Sequence, residues 1–199
     1  MKQTSVADEV TRAAVELFAS QGYANTSVQQ IVEAAGVTKG AMYHYFESKD
    51  DLLFGIYDRL LSLQKRHLDE IIAAGGENAE AVLRAVCIDV IKTSIESLDE
   101  GTVYFRSAHM LSAPRRQEVT RRRRAYHDEV AALLERGQQE GAFRTDIPAP
   151  LLIAHFFSDV HYLSHWYSPG GPESAAQVAE QLTELYLTGI HTPHPHPKE

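Results

Sequence analysis

Residues 27–46 constrain the fold most. Ser27-Val28-Gln29-Gln30 has the pattern of a capping box: the serine hydroxyl can accept from the third helical N–H, and the glutamine side chain can reach back. Val28, Ile31, Val32 and Ala35 follow at the i, i+3, i+4, i+7 spacing of one helix face. Gly36 supplies a left-handed stop, Val37 a turn hydrophobe, and Thr38 a cap for a second short helix, Lys39-Gly40-Ala41-Met42-Tyr43-His44-Tyr45. Two short helices around a Gly-containing turn fit a helix-turn-helix, or simply two short helices of an all-α protein. The second helix offers Met42, Tyr45 and Phe46 to a core on one side and Lys39, Tyr43 and His44 on the other, with small Gly40 and Ala41 between. Small residues let a backbone sit deep in the DNA major groove, and Lys, Tyr and His can bond phosphates or base edges.

The rest of the chain is punctuated into helices, with no sustained alternation and no Asn-Gly or Asp-Gly hairpin signal. A first helix is predicted over about 4–20, with Val6, Val10, Ala13, Ala14, Leu17 and Phe18 on one face and Gly22 as its cap. Ser48 can cap a fourth helix with Asp51 at the acidic position of a capping box. That helix runs from Asp50 to about Ala74, before Gly75-Gly76. Further helices are expected over 78–98, 103–111, 115–140, from Pro148 to Tyr167, and over 173–188, with a break at Pro114 and a loop at 168–172. The fold class is therefore all-α. Its predicted domains are a three-helix DNA-binding head over 1–48 and a core of about six helices over 49–190, leaving a disordered, proline-punctuated tail over 191–199.

Composition bounds what such a chain can do. No apolar run approaches the roughly 18 residues of a membrane span, and the first ten residues have no signal-peptide core, so a cytoplasmic protein is expected. Cys87 stands alone within Ala85-Val86-Cys87-Ile88; it reads as a small buried hydrophobe ahead of a redox sensor. The net charge of −8, and four basic against six acidic residues in 1–50, leave a DNA-binding head little bulk attraction for phosphate. No Gly-rich phosphate loop, GxSxG elbow or HExxH is present, so an enzyme is not expected. His161 and His165 stand i, i+4 and His155 lies nearby, but no cysteine or HExxH pattern accompanies them, so neither a metal site nor a metal cofactor is expected.

The stretch from Asn25 to Leu52, with Ala14, Leu17-Phe18 and Gly22-Tyr23 ahead of it, resembles the signature of the TetR family of transcriptional regulators. The resemblance implies an all-helical homodimer binding a palindromic, double-stranded operator and responding to a small-molecule effector. It implies that Ser27 caps the second helix against phosphate. Thr38, Lys39, Gly40, Ala41, Tyr43 and His44 fall at the recognition helix, and Lys49 falls where the fourth helix touches a backbone phosphate. Many members carry Thr or Ser where this chain has Ala41, which leaves a thymine-methyl contact in place of a hydrogen bond. The last two helices, rich in Leu151, Leu152, Phe156, Phe157, Val160 and Leu163 and in Val178, Leu182, Leu185 and Tyr186, would form the four-helix dimer interface usual in the family, or else merely close a monomer core.

Residues 165–178, spaced from Gly141-Ala142-Phe143-Arg144 and Asp146 as they are, resemble a branch of the family that answers to acyl-CoA thioesters in fatty-acid, steroid or aromatic-acid degradation. The same fold also serves regulators of efflux pumps that respond to hydrophobic drugs. An acyl-CoA needs an apolar slot and basic groups for phosphate. Phe105, Met110, Tyr126, Phe143, Phe157, Tyr162 and Trp166 could line the slot or be plain core. Arg115, Arg116 and Arg121-Arg122-Arg123-Arg124 could be a solvated face, a phosphate site or a DNA contact; four consecutive residues point all round a helix, so at most two share a side.

Overall fold

The computed structural model describes residues 5–192. Among these, nine α-helices follow one another: α1 (Val6–Gln21), α2 (Val28–Ala35), α3 (Lys39–Tyr43), α4 (Lys49–Ala74), α5 (Ala79–Glu96), α6 (Leu98–Ser107), α7 (Ala113–Gln139), α8 (Ala149–Trp166) and α9 (Ala175–Ile190). A single 3-10 turn, Ala108–Met110, links α6 to α7. The all-α class and the three-plus-six helix count agree with the sequence reading.

The boundaries differ where local signals mislead. The gap expected between helices over 78–98 and 103–111 is not there: Gly101 lies inside α6, and the break comes at Ser97. Pro114 does not break the chain: it occupies the first turn of α7, where a missing N–H costs nothing. Gly22 ends α1 with φ +85° but ψ 150°, so it has positive φ without the left-handed helical geometry.

The chain divides into two compact units. The first comprises 1–62 and 97–122, so the unit holding the head extends past the expected boundary at residue 48 and takes in α6 and the start of α7. Its core gathers Val10, Ala14, Phe18, Ile31, Val32, Met42, Leu52, Leu53, Ile56, Tyr57, Val103, Leu111 and Val119. The Tyr57 hydroxyl donates to the Val103 carbonyl at 3.0 Å, which satisfies the one polar atom of a large buried ring. Arg115 pairs with Asp50 and Asp51, and Arg122 pairs with Asp58 and donates to Ser62 at 2.9 Å.

The second unit comprises 63–96 and 123–199. Here α5 packs on α8 and α9. Val82, Leu83, Val86, Cys87 and Val90 are buried, as are Leu152, Phe156, Phe157 and Leu163 of α8 and Ala179, Tyr186 and Leu187 of α9. Burial pushes the Cys87 thiol well above its ordinary pKa, so it is an inert core residue. Of the tail expected from 191, the first two residues are bonded: His191 meets Glu80 at 2.9 Å and forms an isolated bridge with Phe143, and Thr192 donates to the Gly141 and Ala142 carbonyls. The remainder of that expected tail, with His194 and His196, lies outside the described residues.

Candidate nucleic-acid interface

The head is built from local signals that all operate. Ser27 Oγ accepts the Gln30 N–H at 3.2 Å, and Gln30 Oε1 accepts the Ser27 N–H at 2.8 Å, completing the capping box at α2. Ile31 and Val32 are buried, and Val28 and Ala35 pack at the edge of the same core. Gly36 takes the left-handed conformation (φ 66°, ψ 29°), and its N–H and that of Val37 reach back to the last carbonyls of α2. Thr38 Oγ1 then accepts the Ala41 N–H at 3.1 Å and starts α3. At the next helix Ser48 Oγ accepts the Asp51 N–H, but the Asp51 carboxylate reaches back to the Glu47 N–H, one residue before the expected Ser48.

This scaffold leaves one face of α3 open. Met42 is fully buried and anchors the helix, whereas Lys39, Gly40, Tyr43 and His44 are exposed, as is Thr38 at the cap; Ala41 is half-exposed. Tyr45 was expected in the core but is 49% exposed, with its ring edge-on to His44 at 5.0 Å. Phe46 alone follows Met42 inward, its ring close to Gly55 of α4. Of the two lysines expected at DNA, Lys39 is exposed, whereas Lys49 donates to the Tyr23 and Thr26 carbonyls.

Comparison with known proteins follows this geometry. Residues 10–56 match the family of bacterial regulatory proteins of the tetR family, and residues 76–190 match the tetracyclin repressor-like C-terminal domain. The chain belongs to the TetR family. The HTH-type transcriptional repressor KstR2 of Rhodococcus jostii is 30% identical over 196 residues, covering 94% of this chain and 91% of that one. The structure of the ketosteroid transcriptional regulator KstR2 of Mycobacterium tuberculosis aligns with TM-score 0.87 at 25% identity, over 96% of this chain and 98% of that one. AibR, solved in complex with isovaleryl coenzyme A and operator DNA, shares the fold at TM-score 0.79 and 22% identity, over 91% and 97% of the two chains. This TetR-family protein is thus a helix-turn-helix, DNA-binding transcriptional repressor and not an enzyme. The family binds operator DNA and small-molecule effectors. No helix among the described residues is long and apolar enough to cross a membrane.

The seven aromatic and Met residues proposed for an effector slot in this TetR-family repressor divide. Tyr126 and Phe157 are buried and meet edge to face at 5.9 Å. Phe143 is buried elsewhere, against Gly137 and the His191 ring. Phe105, Met110, Tyr162 and Trp166 are each at least 40% exposed, with Tyr162 stacked on His165 at 4.3 Å. A feature missed from sequence adjoins Tyr126: His127 lies parallel to Phe157 at 3.9 Å, and Arg123 Nη2 reaches His161 Nδ1 at 3.2 Å. Burial, reinforced by the Arg123 guanidinium, lowers the His127 pKa to about 4 and that of His161 to about 3. Among the arginines, Arg121 forks onto Glu118 with bonds of 2.9 and 2.7 Å. Arg115 and Arg122 are also in ion pairs.

Proposed function

We propose that this chain represses transcription as a homodimer on a palindromic operator and is released by an acyl-CoA thioester, controlling genes of fatty-acid, steroid or aromatic-acid degradation. The observation that carries the reading is that likeness to the KstR2 repressors runs through nearly the whole chain, sensor half included. AibR adds a protein of the same fold holding a coenzyme A thioester and operator DNA. Thr38, Lys39, Gly40, Ala41, Tyr43 and His44 enter the major groove on the open face of α3, and Ser27 meets a flanking phosphate through the start of α2. Tyr126 and Phe157 form the apolar wall that meets the acyl group.

Release follows if the effector binds more tightly to a state whose two heads no longer fit successive major grooves, about 34–36 Å apart. A gel shift tests both halves of the reading, using purified protein and the DNA upstream of its own gene. Micromolar long-chain acyl-CoA is expected to abolish the shift while cationic dyes leave it. Release by dyes and not by acyl-CoA would move the protein to the efflux-regulator reading. Tyr43→Ala should lose the shift with an unchanged melting temperature, because the ring is half-exposed and outside the core. Undiminished binding by that variant would remove α3 from the contact surface.

A further inference from the structure

Lys49 is the first residue of α4, and its ammonium is already occupied. Nζ donates to the Tyr23 carbonyl at 2.9 Å and the Thr26 carbonyl at 2.8 Å, and it sits 4.2 Å above the centre of the Tyr23 ring. An ammonium has three donors, and two are committed here to oxygens. Both oxygens belong to the turn that joins α1 to α2. Thr26 is itself buried at 1% exposure, with Oγ1 donating to the Gly22 carbonyl at 2.9 Å and accepting from Gln21 Nε2 at 3.1 Å. The next residue, Ser27, caps α2. Partial burial of the ammonium lowers its pKa, as expected of a lysine held against protein.

We propose that Lys49 is a positioning residue of the DNA-binding head: it clamps the Tyr23–Thr26 turn from the start of α4, and so fixes where α2 begins. Charge-assisted bonds are roughly twice as strong as neutral ones, and Lys49 makes two across 23 and 26 residues of sequence. Removing the ammonium would strip both carbonyls of their charged donor and the Tyr23 ring of its cation, whatever the third donor meets. The clamp also joins α4 to the turn ahead of Ser27, so the phosphate-facing end of α2 is held from the helix that follows the head.

The test has two arms on the full-length protein. Without DNA, amide exchange at Thr26, Gln30 and Ile31 is compared in wild type and Lys49→Met. These N–H groups bond to Tyr23 O, Ser27 Oγ and Ser27 O and report the turn and the cap. Exchange is expected to accelerate there and stay unchanged in α5. Tyr23→Leu, which keeps the lysine charge and removes the ring beneath it, is expected to loosen the same amides; it stands in should Lys49→Met not fold. With the DNA upstream of its own gene, Lys49→Met is expected to lose about tenfold in affinity. The loss should be less than additive with that of Ser27→Ala, since both act through the start of α2. Wild-type exchange rates in both variants would overturn the proposal, as would a loss fully additive with that of Ser27→Ala. Failure of the wild type to bind that fragment would count against the operator reading instead, and the exchange arm alone would then decide this one.

Discussion

Two half-buried histidines in the second unit set the clearest pH response. His161 accepts from the Arg123 guanidinium, which requires a deprotonated ring nitrogen, and His127 presents its face to Phe157, an environment that disfavours an imidazolium. Both pKa values lie below the ordinary 6.5, at about 3 and about 4. The unfolded chain therefore takes up these protons first as pH drops. Their stabilisation is complete above about 6.5 and declines as pH falls toward the folded-state values. Asp89 is raised by burial, which has the opposite sign, so the histidine signal is read as the difference between wild type and a histidine variant between pH 7.5 and 5. The melting temperature is expected to fall across that window, and His161→Gln should flatten the fall. A variant as steep as wild type would show that His161 is not a source of the slope.

At the scale of elements, Gly137 of α7 makes a sharper test than its place in a helix suggests. Helix propensity alone predicts that Gly137→Ala gains about 0.8–1 kcal/mol. A β-carbon there would lie 2.3 Å from Phe143 Cδ2, and Phe143 is 1% exposed with no room to retreat. Overpacking of this kind costs about 1–3 kcal/mol, so the packing term wins and the variant is expected to be less stable in urea unfolding. A stabilised variant would mean that the ring shifts freely. The contrast marks what was legible in the sequence. The caps at Ser27 and Thr38, the Gly36 stop and the apolar face of α2 were readable because each is decided within a few residues. The Gly137–Phe143 contact, the Lys49 clamp and the Arg115 pairing with Asp50 and Asp51 were not, because each depends on a chain reversal or on partners 23 to 65 residues away. Tyr45 was misplaced for a related reason: α3 has five residues, too few for helical periodicity to separate its faces, and only Met42 and Phe46 find the core.

For the whole molecule, charge argues that one head is not enough. The unit carrying the head has ten basic against eleven acidic residues, and the other has nine against sixteen, so all but one of the chain's eight net negative charges belong to the second unit. The head's own charge offers no bulk attraction for phosphate, and a few contacts per subunit are expected to give weak, salt-sensitive binding. Two linked heads multiply those contacts through effective concentration. The surface suited to linking them is on α8 and α9, where Leu151, Tyr162, Trp166 and Leu185 are 51–71% exposed while the opposite faces are buried. Large apolar side chains repeated along two consecutive helices are costly to leave in water and suit a four-helix contact between copies. Leu185, the most exposed of the four at 71%, has little to lose within its own chain. Leu185→Glu is therefore expected to keep its unfolding transition at low protein concentration, to sediment as a monomer where wild type is expected to sediment as a dimer, and to lose operator binding although α3 is untouched. A variant that remains dimeric would move the interface off this face, and one that is monomeric yet binds the operator as wild type does would show that a single head suffices.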